Sequence, residues 1–177
     1  SWREFVERNN SELLGAYGNF INRTLAFIVK YNDGLIPQGK IEDEIKEKIE
    51  NIYSEVGTKI EEGQFKDALD LIFEFVRYGN KYYDLMEPWK SRVTDKAKCD
   101  NTLYNCVQII ANLAVLLEPF LPFSSQKIAR WLKLNNEWKA QYIPEGLRLP
   151  DISILFERLD KSVIEEETQK LGISWRQ

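Results

Sequence analysis

Trp89 carries the chemistry that this sequence offers most plainly. It follows Pro88, whose missing N–H interrupts the helical pattern running up to Asp84 and biases Glu87 away from the right-handed α region. The indole therefore stands at a helix exit, with Arg77 and Lys81 before it and Lys90 and Arg92 after it. An apolar ring with cations close by suits a nucleobase attached to phosphate, the ring stacking on the base while the cations meet the anion. The other reading makes Trp89 a lid on the core, where large aromatics commonly sit. Residues 77 to 98 hold six basic side chains (Arg77, Lys81, Lys90, Arg92, Lys96 and Lys98) against three acidic ones (Asp84, Glu87 and Asp95), although the whole chain has a net charge of -4. That overall charge argues mildly against a general nucleic-acid binder, because non-specific affinity comes mainly from basic residues neutralising phosphates.

A second polar group lies near the start of the chain. Ala16, Asn19, Arg23, Ala26 and Lys30 recur three or four residues apart, so Asn19 and Arg23 share a helix face between alanines that leave room for something to approach. They read either as ligand contacts or as an Arg23 ion pair to a neighbouring helix with Asn19 facing solvent. Asn80, next to Gly79, is either a buried tie to a loop or a ligand contact, and the tie is preferred because buried amides usually serve nearby backbone.

Other chemistries are excluded. With no histidine and no Cys-x-x-Cys pair, the chain has neither a zinc site nor a Ser-His or Cys-His nucleophile. Cys99 and Cys106 are two helical turns apart, about 10.5 Å, too far for a disulfide between them, and read as small core residues. The carboxylates between Glu42 and Glu62 alternate with lysines at helical period, as on a solvated face. No catalytic or metal-binding residue is assigned. No apolar run approaches the roughly 20 residues of a membrane span, and the N-terminus lacks a signal-peptide layout, so a soluble cytoplasmic protein is expected. The first residue is Ser rather than Met and helical patterning begins at once, so a piece of a longer protein is expected.

The elements that must position these groups are helices. At 177 residues the chain can form one domain that buries about 70% of its unfolded surface. Apolar residues at helical spacing predict a first helix to Tyr31, a second through Ile41 to Ile60, and a third from Phe65 that carries Leu69, Ile72, Val76, Gly79 and Tyr83 in its stripe. Gly79 is expected to let another helix come close. Ser91 to Asp95 reads as a connector to a fourth helix, uncharged from Asn101 through Leu117 and therefore the most enclosed. Its row Asn101, Asn105, Gln108 and Asn112 is expected to hydrogen-bond across the bundle. Prolines at 119 and 122 break the chain, and Ser124 or Ser125 is the expected N-cap of a fifth helix. The prediction is an all-α bundle of about five main helices over residues 1–133, with an irregular extension over 134–177 that packs back on it and ends in a short helix at Val163 to Leu171.

Several motifs, in order, resemble the anticodon-binding domain of methionyl-tRNA synthetase, a class I aminoacyl-tRNA synthetase. They are Asn10-Ser11-Glu12-Leu13 with Gly18-Asn19 and Arg23; Phe65 with Ala68-Leu69; Asn80-x-Tyr82 with Pro88-Trp89; Glu118-Pro119-Phe120-Leu121-Pro122-Phe123; and Leu155-Phe156-Glu157-Arg158-Leu159. The resemblance spans about residues 2 to 172. It implies that Asn19, Arg23 and Trp89 meet the CAU anticodon of methionine tRNA, with Trp89 on the wobble cytosine; beside them Pro88, Asn80, Asp84 and Lys90 are candidates for supporting roles. Asp84 is expected to repel unwanted anticodons. It also implies a parent ligase whose separate catalytic domain uses ATP with Mg2+, since the family's His-Ile-Gly-His and Lys-Met-Ser-Lys-Ser type signatures do not occur here. This chain alone is expected to be non-catalytic and monomeric. The alternatives are the anticodon domain of a relative charging valine, isoleucine, leucine or cysteine, and a helical protein-interaction module with Trp89 as its hot spot.

Overall fold

The computed structural model describes residues 2–152, with side chains from residue 15 onward. Six helices follow one another: α1 (Trp2–Tyr31), α2 (Asp43–Glu61), α3 (Phe65–Met86), α4 (Pro88–Thr94), α5 (Lys96–Leu117) and α6 (Pro122–Leu132). Five are long and α4 has seven residues, giving the helical bundle expected from the periodicity. Among the described residues the only β-type pairing is an isolated antiparallel bridge between Leu35 and Arg148.

The uncharged helix α5 is the axis. It packs against each of the other five helices, so its side chains are buried nearly all round, which is why a charge anywhere from Asn101 to Leu117 would be costly. Its polar row mainly serves backbone outside the helices. Asn105 accepts from the Glu42 N–H at 2.9 Å and donates to the Lys40 carbonyl at 3.1 Å, while Asn101 accepts from the Lys40 N–H at 2.8 Å. Gln108 exchanges two bonds with the backbone of Ile143 (2.7 and 3.0 Å), and Asn112 does the same with Gln141 (2.8 and 3.0 Å). Asn112 alone of the row reaches another helix, accepting from the Tyr53 hydroxyl at 2.7 Å. The amides thus act as short stretches of strand edge, satisfying loop backbone that would otherwise be buried unpaired. They also hold residues 141–143 of the extension against the bundle.

Two expectations need correction. Ser124 and Ser125 do not cap α6; they lie buried inside it, and Leu121 is the N-cap. Pro122 takes the first helical position, where its fixed φ is already helical and its missing N–H is not needed, so the helix starts three or four residues earlier than a Ser124 or Ser125 cap would place it. Residues 91–95 are likewise not a plain connector, because α4 runs through Thr94 and Asp95 caps α5 by accepting from the Lys98 N–H at 3.2 Å. The short helix expected at Val163 to Leu171, the Leu155–Leu159 motif and the side chains of Asn10 to Leu13 lie outside the described residues.

Candidate nucleic-acid interface

The site is built on the seam between α1 and α3. A Cβ on Gly79 would lie 2.7 Å from the ring of Phe20, so the aromatic ring of α1 rests directly on the glycine of α3. Beside that contact, Asn19 and Arg23 of α1 face Asn80, Tyr83 and Asp84 of α3. Asn80 donates to the Ala16 carbonyl at 3.0 Å, and its Oδ1 accepts from Asn19 at 3.3 Å and from Arg23 at 3.0 Å. Both lone pairs of that oxygen are engaged. Asn80 is therefore a tie, as preferred, but to the backbone of α1 rather than to a loop.

Arg23 is held on several sides. Its Nη1 donates to Asp84 Oδ1 at 2.6 Å, its Nη2 donates to the Asn80 carbonyl at 2.7 Å, and the guanidinium lies 4.1 Å over the Tyr83 ring. The Nε–H is buried and has no protein acceptor. Of the five guanidinium hydrogens, this leaves one on Nη1 for a ligand. The expected alternative for Arg23, an ion pair with a neighbouring helix, is thus present in the seam. Asn19 is exposed and bonded to Asn80, and its carbonyl oxygen and second amide hydrogen remain available.

Glu87 ends α3 in the left-handed region (φ 49°, ψ 58°), its N–H donating to the Tyr83 carbonyl at 3.1 Å. Pro88 then occupies the first position of α4 and is buried, which sets the direction in which Trp89 leaves the seam. Trp89 is 46% exposed, which is incompatible with a sealed lid on the core. One side of the indole faces Tyr83, with ring centroids 6.0 Å apart and planes inclined by 34°. Tyr83 is 5% exposed and thus forms a buried layer touched by both Arg23 and Trp89. Burial pushes its phenol up to about 12 despite the opposing charge of Arg23, so the layer stays neutral at physiological pH.

The structure brings Asn19, Arg23, Asn80 and Asp84 into one network and connects Trp89 to it through Tyr83. Lys90 is not a free cation, since its Nζ donates to Glu87 Oε2 at 2.6 Å. The sequence reading placed Tyr83 in the core stripe and missed its bridging role; its position between Asn80 and Trp89, next to Asp84, was the available signal. Among the described residues no group of three His, Cys, Asp or Glu side chains could hold a metal ion. No described helix is long and apolar enough to cross a membrane.

Residues 36–172 match the family described as the anticodon binding domain of methionyl tRNA ligase. The chain is 53% identical over 173 residues to a methionine–tRNA ligase of Bacillus cereus, covering 97% of this chain and 31% of that protein. It is also 53% identical over 172 residues to methionine–tRNA ligase 2 of Bacillus anthracis, with the same coverage of each. The chain thus spans about a third of the length of these curated relatives. Among solved structures, Mycobacterium tuberculosis methionyl-tRNA synthetase in complex with methionyl-adenylate superposes with a TM-score of 0.73 at 25% identity, over 82% of this chain and 31% of that one.

Proposed function

The chain belongs to the family of anticodon-binding domains of methionyl-tRNA ligase, and on that premise we propose that it reads the CAU anticodon of methionine tRNA through Asn19, Arg23 and Trp89. An unpaired anticodon base can be splayed from its stack, rested on an indole and read at its exposed edge by an amide and a guanidinium. Trp89 takes the wobble cytosine. Asn19 offers one acceptor and one donor to a base edge, and Arg23 offers its outward Nη1 hydrogen. Pro88 and the Tyr83 layer fix the indole beforehand, so little side-chain freedom is lost on binding. Asn80, with its oxygen fully used, positions Arg23 and Asn19 rather than touching RNA. Asp84 orients the guanidinium and sets a negative charge beside the base edge, where it disfavours anticodons that would bring an acceptor to it.

In the parent ligase this reading directs methionine tRNA to a catalytic body that binds ATP with Mg2+ and attaches methionine. The parent is cytoplasmic, and the present chain acts as a monomer. With no histidine, the chain cannot carry the family's His-Ile-Gly-His type signature, so it catalyses no methionine-dependent pyrophosphate exchange by itself.

The observation that carries the proposal is the half-exposed indole at the α3–α4 junction, backed by the ring on which Arg23 rests. Titration with a CAU anticodon stem-loop, and with loops changed at one anticodon base, tests it. Preference for CAU by tenfold or more, about 1.4 kcal/mol, supports it, and equal affinity for all loops would refute it.

A further inference from the structure

One helical turn beyond Trp89, the guanidinium of Arg92 sits 4.1 Å over the ring of Tyr31, the last residue of α1. Lys30 approaches the same ring at 5.2 Å. Phe27 flanks it with a centroid distance of 4.7 Å, so Tyr31 is held in place from within its own helix. Neither cation makes an ion pair or a hydrogen bond with a described residue, whereas Arg23, Lys90 and Lys96 are each matched to a carboxylate. Lys30 has a local reason for its position, because a cation in the last turn of α1 complements the helix dipole. Arg92 stands likewise in the last turn of α4, but that helix has only seven residues, and Arg92 shares the Tyr31 ring with a second positive charge.

We propose that Arg92, resting on Tyr31 and assisted by Lys30, is a subsite for a phosphodiester group of the RNA backbone adjoining the base on Trp89. A guanidinium whose face rests on an aromatic ring keeps its in-plane N–H donors for an acceptor, and that planar fork matches phosphate oxygens. Trp89 and Arg92 are three residues apart on α4, so they present on neighbouring positions of one helix face. A base on the indole would therefore lie beside its own or the next phosphate at the guanidinium. The division of labour follows from the chemistry: Arg92 contributes affinity with no information about base identity, and Asn19, Arg23 and Trp89 contribute the choice of anticodon. The location of this subsite rests on the stacking role proposed for Trp89.

Stem-loop titrations from 50 to about 200 mM salt test it, using the 177-residue chain and its Arg92→Gln, Arg92→Lys and Trp89→Ala variants. Arg92→Gln should weaken the CAU loop and a loop with one changed anticodon base by the same factor, about 3- to 10-fold. It should also reduce the slope of log affinity against log salt by about 0.7, the value for one phosphate contact on a single strand. Arg92→Lys should restore the slope. An unchanged slope for Arg92→Gln, or weakening confined to the CAU loop, overturns the subsite. Trp89→Ala should lower affinity and leave the slope unaltered. If Trp89→Ala has no effect while Arg92→Gln still lowers the slope, the stacking role fails and the phosphate contact stands by itself. Failure of the unsubstituted chain to bind either loop at 50 mM salt overturns both.

Discussion

Arg23 of α1 donates through Nη1 to the Asp84 carboxylate of α3 at 2.6 Å, with the arginine side chain 24% and the aspartate side chain 62% exposed. The pair is wet enough that its ionic contribution to folding is small, of order 0–1 kcal/mol. Its value lies in orientation. With Nη1 on Asp84 and Nη2 on Asn80, the guanidinium is fixed over Tyr83 beside Trp89.

Arg23→Gln is accordingly expected to affect both folding and recognition. It removes the contact with Tyr83 and leaves the Asn80 carbonyl without its side-chain donor, costing about 1–3 kcal/mol of stability, as does the loss of a hydrogen bond to a charged group. Discrimination among anticodon loops should fall as well. Urea unfolding and stem-loop titration on one sample check the two effects. The Arg23 role in recognition is wrong if stability drops and discrimination is intact.

Asp84→Asn retains a hydrogen-bond acceptor for Arg23 and removes the charge. Unfolding should shift by less than about 1 kcal/mol, since the carboxylate is largely exposed. Loops with altered anticodons should gain more affinity than the CAU loop. A uniform gain across all loops would instead mean that Asp84 repels phosphate without selecting among bases.

Trp89→Ala is expected to weaken the CAU stem-loop by about 1–3 kcal/mol, the range for one base–aromatic stack. Its effect on stability should stay below the roughly 3–5 kcal/mol of a truncated core aromatic, because nearly half of the residue already contacts solvent. A full core-sized loss of stability with unchanged RNA affinity would restore the lid reading.

Gly79→Ala tests the seam without touching a contact residue. The new methyl would meet the Phe20 ring at 2.7 Å, and Phe20 is completely buried, so the ring or the helices must shift within the core. Overpacking of this kind costs about 1–3 kcal/mol. Chemical denaturation should show that loss, offset by less than about 1 kcal/mol of improved helix propensity. Stability equal to the unsubstituted chain would mean that the α1–α3 seam gives way easily.

Alkaline titration tests the buried phenols. Burial raises Tyr53, Tyr82 and Tyr83 above the usual value of 10.0, Tyr83 to about 12. The folded state therefore binds protons that the unfolded state has released. The stabilisation is complete below pH 10 and is lost as pH rises from about 10 through the folded values, at up to about 1.4 kcal/mol per pH unit for each tyrosine. Tyrosinate absorbance should appear for these residues together with the loss of helical circular dichroism. Ionisation of all the tyrosines while the chain stays folded would contradict it.

The helical spacing of apolar residues, with the breaks at Asn32-Asp33-Gly34, Glu61-Glu62-Gly63 and Pro119, determined the long helices and made α5 the enclosed one. This is because amphipathic period and chain-breaking residues act within a few residues of sequence. The likeness to the anticodon-binding family, carried by ordered motifs, was legible for the same reason. Local sequence could not decide partners about 60 residues apart. Asn19 and Arg23 lie on one helix, Asn80 and Asp84 on another, and only the close approach at Gly79 makes them one network. Tyr83 reads as core by period, and it is buried; that its ring also supports Arg23 and Trp89 depends on the angle at which Glu87 and Pro88 turn the chain. The start of α6 was misplaced because serine's capping preference and proline's first-turn preference compete within one turn, and burial of both serines inside the bundle goes with the proline start. Likewise the amides of α5 could be recognised as needing partners, but which backbone they bind was settled by where residues 40–42 and 141–143 cross the helix.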